Sequence, residues 1–179
     1  MSAPTVIGLD LSITATGATF YGDPPRTISP AKGLTGDLRL ISVRDQIMRS
    51  VAPSMDPLVV IEGPVLRSQA AIALGLLHGV IRAALMDERL AYVLVPPATL
   101  KKYATGKGNA GKPEMAVALY KRAGLELGDD NQVDAWWLRA MGMDALGAPL
   151  VDLPAAQRDA MAKVAWPGDL VAAVKAADA

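Results

Sequence analysis

The run Leu58-Val-Val-Ile-Glu62 constrains the fold more than any other stretch: four consecutive apolar residues closed by an acid. A strand with one solvated face alternates apolar and polar residues, so a continuous run of this length fits a strand buried on both faces. Ser68 to Arg89 then reads as a long helix, and Ala91 to Val95 as a further strand stopped by Pro96 and Pro97. Upstream, Thr5 to Leu11 and Ala15 to Tyr21 are two β-rich segments, and Arg26 to Lys32 is a third, so the chain opens as a meander. Asp37 to Val51 carries Leu38, Ile41, Ile47 and Met48 at roughly helical intervals, with Pro53 just beyond. A Gly/Lys loop from Thr105 to Gly111 precedes a helix starting at Pro113, another from about Asp129, and a Pro-punctuated tail with one or two short helices. Meander first and alternating elements after describe an α/β protein with a mixed sheet covered by helices.

Bulk properties narrow the function. A chain of 179 residues that is 51% hydrophobic buries a substantial core and suits one domain. No charged segment followed by an apolar one and a cleavage site opens it, and Arg82 and Asp87 interrupt the longest apolar stretches, so a soluble, unexported protein without membrane contact is expected. The absence of cysteine excludes disulfides and thiolate zinc, and the single His78 excludes a histidine-rich metal site.

The acids carry the chemistry. Asp10 ends the first strand, Glu62 ends the fourth, and Asp134 lies about one turn into the helix DDNQVDAWWLRA. If the two strands are neighbours, both acids emerge at one sheet edge, where ligands of α/β sheets sit, and a helix crossing that edge would present Asp134 to them. Like charges so gathered are unfavourable without a cation. Hard divalent ions such as Mg²⁺ take carboxylate oxygens and keep waters for a substrate phosphate. Such a site suits phosphodiester hydrolysis by two metals ~3.5–4 Å apart. Taken singly, Asp10 also reads as a turn former and Glu62, before Gly63-Pro64, as a solvated strand end. Asp129 reads as an N-cap, with Gln132 approximating a capping box, and Asp130 as a first-turn acid favoured by the helix dipole. Asp134, past the first turn among Val133, Ala135, Trp136 and Trp137, has no comparable structural reading.

A second constellation is basic. Between Lys101 and Arg122, six cations (Lys101, Lys102, Lys107, Lys112, Lys121 and Arg122) face one acid, Glu114, in a chain whose formal net charge is zero. TGKGNAGK sets three glycines among lysines just before a helix whose first residue is expected to be Pro113, so free N–H groups and ammonium ions there would hold a phosphate. The plain structural alternative is a solvated loop. The spacing is not that of a Walker A loop.

These blocks, from VIGLDLSITATG through VVIEGP, AAIALGLLHGVIRAAL and VPPATLKKYATGKGNAGK to DNQVDA, together resemble the RuvC-type Holliday junction resolvases, within the RNase H-like nuclease superfamily. The resemblance covers about Thr5 to Met141. It implies an RNase H-like fold with a five-stranded sheet of order 3-2-1-4-5 and helices on both faces, a homodimer, and Mg²⁺-dependent symmetric nicking of four-way DNA junctions, with Mn²⁺ substituting. It implies a cytoplasmic protein of a bacterium or a phage-infected cell. Residues 1–145 would form the nuclease domain and 146–179 a helical extension of it. Asp10, Glu62 and Asp134 fall on the family's metal-binding carboxylates, and Lys107 and Lys112 on its basic loop. Lys101, Lys102 and Arg67 are further candidates for DNA contact.

The chain departs from the family in two places. A fourth ligand, Asp or His, usually stands three residues before the last Asp; here that residue is Asn131, with Asp130 beside it. Residues 130 and 131 lie roughly 40° and 60° from Asp134 around a helix, so both lean toward the site. Asp130 is expected to supply the fourth carboxylate, directly or through a metal-bound water, with Asn131 as an amide ligand or supporting hydrogen bond. Where better-known members carry a junction-stacking aromatic after Glu62, the sequence offers Val65 and Leu66, which makes broader activity on branched DNA an alternative. A nuclease-fold protein that binds DNA structures without cutting is a second one. GLDLSITATG also resembles the first phosphate loop of actin-like kinases, but that fold needs a second domain for which 179 residues leave no room.

Overall fold

The computed structural model describes residues 4–51, 56–64 and 71–168. In chain order the elements are β1 (Val6–Asp10), β2 (Thr16–Thr19), β3 (Arg26–Ile28), α1 (Asp37–Ser50), β4 (Leu58–Glu62), α2 (Ala71–Asp87), β5 (Tyr92–Val95), α3 (Pro97–Thr105), α4 (Lys112–Ala123), α5 (Asp130–Ala145) and α6 (Ala155–Arg158), followed by a 3-10 helix, Asp159–Lys163. The five strands form one mixed sheet of order β3-β2-β1-β4-β5, as the resemblance implies. β1 pairs antiparallel with β2 and parallel with β4; β2–β3 is antiparallel and β4–β5 parallel.

Strand parity sorts the core into two layers. Val6, Leu58 and Val60 face α3, α4 and α5, where they pack with Leu100, Tyr103, Trp136 and Trp137. Ile7, Leu9, Val59 and Ile61 face α1 and α2, against Val43, Ile47, Leu77 and Ile81. Because successive side chains alternate between faces, Asp10 shares the α5 side with Val6, and Glu62 shares it with Leu58 and Val60. The parallel register sets Leu9 beside Ile61, so the residues that follow, Asp10 and Glu62, leave adjacent strands together at one edge.

α5 lies almost on the sheet backbone, and glycines make that approach possible. A Cβ on Gly8 would stand 2.0 Å from the Ala135 carbonyl oxygen, and one on Gly17 would stand 1.8 Å from that of Asn131. Gly142 nests between Val6 and Val60, each 2.7 Å from where its Cβ would lie. The close approach is closed by Arg139, whose Nε donates to the Val6 carbonyl at 3.2 Å.

Several boundaries differ from the sequence reading. β3 ends at Ile28 rather than Lys32 because α1 takes its next backbone groups: Gln46 Nε2 donates to the Ser29 carbonyl at 2.8 Å, and the Ala31 N–H donates to Ser42 Oγ at 3.0 Å. The prolines that stop β5 start a helix not foreseen from sequence, with Pro96 as N-cap and Pro97 in its first turn, ending at Gly106 with φ 84°. α4 begins at Lys112, with Gly111 as N-cap and its N–H donating to Glu114 Oε2 at 2.8 Å. The α2 helix is described from Ala71, so its expected start at Ser68 lies outside the described residues. Leu146, Val151, Leu153, Ala160 and Val164 join the α5-side core. Arg158 Nε and the Tyr103 hydroxyl both donate to Asp144 Oδ2 at 3.0 Å, which ties α6 to α3 and α5. Among the described residues no helix is long and apolar enough to cross a membrane.

Gly8→Ala forces a methyl into the α5 backbone, where no flexible side chain can yield. The expected loss is at the upper end of the ~1–3 kcal/mol typical of overpacking, read by urea denaturation. A variant as stable as the parent would show that α5 does not rest on β1 as described.

Candidate metal and nucleic-acid site

Asp10, Glu62 and Asp134 meet at the sheet edge under the N-terminal half of α5. Register and parity deliver the first two, and the Gly8 and Gly17 contacts hold α5 low enough to bring Asp134 to them. All three are only partly exposed, and each carboxyl is harder to ionise than usual. Burial is the main cause for Asp10, raised to about 9, with the Glu62 and Asp134 charges adding to it. Glu62 is raised to about 7 by burial and by Asp134, although a hydrogen bond shared with Asp10 and the nearby Lys101 ammonium oppose this. Asp134 is raised to about 6, again chiefly by burial; Lys101 and Lys112 act against it and Asp130 with it.

Asp129 caps α5, accepting the Asn131 backbone N–H and side-chain Nδ2, each at 2.9 Å, while its other oxygen accepts the Thr27 hydroxyl. Gln132 does not complete a capping box; its Nε2 donates to Thr27 Oγ1 at 2.9 Å, so the helix start is tied to β3 instead. Asn131 sits over Gly17, which the β1–β2 register sets opposite Asp10. Asp130 is half exposed and ion-paired with Lys112, Nζ to Oδ2 2.9 Å.

The basic candidates separate. Lys101, on α3, and Lys112, at the start of α4, both act on the acids. Lys107 is instead paired with Glu114, Nζ to Oε1 3.2 Å. Lys102, half-buried on α3, makes no ion pair among the described residues. Arg67, with Val65 and Leu66, lies outside the described residues. The expected phosphate cradle is partly filled by the chain itself, since the N–H groups of Lys107 and Gly111 donate to Thr105 Oγ1 and Glu114 Oε2. Placing Lys101 required α3, whose signal was present in Thr99, Leu100, Tyr103 and Ala104 at helical spacing.

Among the described residues no three Asp, Glu or His side chains already form a ligand shell around one point. The donor chemistry nonetheless fits a hard divalent cation. The candidates are all oxygens, the only imidazole is buried on α2, and besides burial the Glu62 and Asp134 charges raise Asp10 and the Asp134 charge raises Glu62.

A five-stranded mixed sheet of this order, flanked by helices, is the RNase H-like fold. Two solved structures similar to the chain are RuvC structures. The chain is similar to Thermus thermophilus RuvC at TM-score 0.62 and 19% identity, over 83% of this chain and 99% of that one. It is similar to Thermus thermophilus RuvC in complex with Holliday junction substrate at TM-score 0.60 and 19% identity, over 76% and 90%. The chain thus has a RuvC-like fold. No protein-family model and no curated protein sequence matches it.

The acid cluster makes the metal-free protein pH-sensitive. Unfolded carboxyls titrate near ~4, whereas the folded ones titrate at about 9, 7 and 6. Between these limits the folded state holds more protons, so stability falls as pH rises through the window. Melting temperature without divalent ions should decline from about pH 5 to pH 9, and Asp10→Asn should flatten the decline. An identical decline in that variant would remove Asp10 as its source.

Proposed function

We propose that the protein is a divalent-metal-dependent endonuclease that resolves four-way DNA junctions by paired, symmetric nicks. The observation that carries this reading is the convergence of three partly buried carboxylates from β1, β4 and α5 on one sheet edge, beside two lysines. The RuvC-like fold supports it, one neighbour having been solved with a Holliday junction.

In this reading Asp10, Glu62 and Asp134 hold the metal. When bound, Mg²⁺ ions supply an activated water and charge stabilisation at the leaving oxygen, and Mn²⁺ substitutes. Lys101 and Lys112 orient the backbone phosphate at the acids; Lys102 and Lys107 add phosphate contacts that position the DNA without reading its sequence. Asp130 supplies the fourth carboxylate once Lys112 turns to phosphate. Its full charge neutralises a metal pair better than the Asn131 amide, which is held by Asp129. Paired nicks require two sites, so the protein acts as a homodimer. The outer face of α2 suits the contact: Ile72 and Leu76 are 82% and 53% exposed, and Gly75 and Gly79 have open space above them.

Cleavage of a mobile four-way junction in Mg²⁺, beside a flap and a duplex, tests the reading. Asp10→Asn, Glu62→Gln and Asp134→Asn should each lower the rate by roughly 100-fold or more, the upper end of losing even an outer-shell partner. Junction binding should persist, because phosphate contacts supply most of the affinity. Asp130→Asn should need far more Mg²⁺ while costing no more than ~0.3–1 kcal/mol of stability. Equal cutting of the flap would assign a broader branched-DNA nuclease, and binding without cutting by the parent would assign a structure-binding protein. If Asn131→Ala is inactive and Asp130→Asn normal, the amide holds the ligand position.

A further inference from the structure

A groove of about 380 Å³ runs between α3, α4 and α6, away from the acids. Its floor is apolar, from Ala104, Val117 and Ala118, and its rim carries Lys107, Lys121 and Arg122. On α4 these residues share one side: Val117 and Lys121 follow at a four-residue step, as do Ala118 and Arg122. Glu114 is the only acid in the lining, and both its oxygens are engaged, one by the Gly111 N–H and the other by Lys107. Arg122 Nη1 donates to the Asp152 carbonyl at 3.2 Å, which fixes the guanidinium at the groove wall. Lys121 is exposed and makes no ion pair among the described residues. Cations in the last turn of α4 favour the helix dipole, but that does not account for Lys107 meeting them from the preceding loop.

The groove and the acid edge are joined by one continuous element. α4 begins at Lys112, which reaches Asp130, and nine residues later presents Lys121 to the groove. At ~1.5 Å per residue this is about 14 Å along the axis, and the nine steps also carry Lys121 half a turn around a helix ~10–12 Å across, so the straight separation is about 18 Å, or about five nucleotides of a strand rising ~3.4 Å each. A strand whose reacting phosphate lies at the acids therefore has later phosphates within reach of the groove. We propose that the groove between α3, α4 and α6 holds the phosphate backbone of one DNA arm through Lys121 and Arg122, about five nucleotides from the acids. This rests on the nuclease reading above. The occupant is the substrate's own backbone rather than an acidic peptide, because the groove continues from a loop and helix that end at the acids.

The test is the salt dependence of junction binding without divalent ions, for the parent, Lys121→Gln, Arg122→Gln and the double variant. Each single change should make the slope of log affinity against log salt shallower by about 0.9, and the double by about twice that. Because Arg122 also holds the Asp152 carbonyl, the exposed Lys121 must show its own loss, with melting temperature unchanged. Junctions carrying uncharged methylphosphonates at roughly the fourth to sixth phosphates from the nick should weaken the parent but not the double variant. Unchanged slopes in the variants of a parent that binds, or methylphosphonate losses additive with the double variant, overturn the groove alone. A parent that does not bind junctions overturns the groove and the nuclease reading together.

Discussion

The approach of α5 onto β1 and β2 is the contact on which the rest depends. Gly8 and Gly17 leave the sheet backbone bare beneath Ala135 and Asn131, so the helix settles closer than any side-chain-bearing strand would allow. That depth places Asp134 beside Asp10 and Glu62, while Gly142 lets the far end of the helix lie equally low between Val6 and Val60. The Asp129 cap and its Thr27 contact then fix the near end to the edge strand. One packing decision thereby sets the site.

The geometry has an electrostatic consequence. Three carboxyls that share burial and the repulsion of neighbouring acids resist ionisation, and the cations that face them, Lys101 and Lys112, offset this only in part. A purely structural cluster would more simply be apolar, as the neighbouring positions on the same strands are. Retaining acids there makes sense where a cation completes them.

Much of this was legible in the sequence, for reasons that can be named. LVVIE announced a strand covered on both faces, and β4 spans those five residues. The strand order followed from the resemblance of the ordered motifs rather than from propensity. Parity would have told that Asp10 and Glu62 face the α5 layer, since Val6, Leu58 and Val60 share it. Other features were hidden. Pro96-Pro97 reads as a stop and is also a helix start, so α3 and the place of Lys101 were missed. The partner of Gln132 depends on Thr27, a hundred residues away, which no local pattern reveals. The pairing of Asp130 with Lys112 likewise depends on how α4 and α5 meet.

Anomalous scattering from crystals grown with Mn²⁺ distinguishes a divalent-metal centre at this edge from a cluster of acids alone. A metal centre there gives strong peaks within coordination distance of the Asp10, Glu62 and Asp134 carboxylates. A map with no peak there, or with its strongest peak at another part of the molecule, would contradict it.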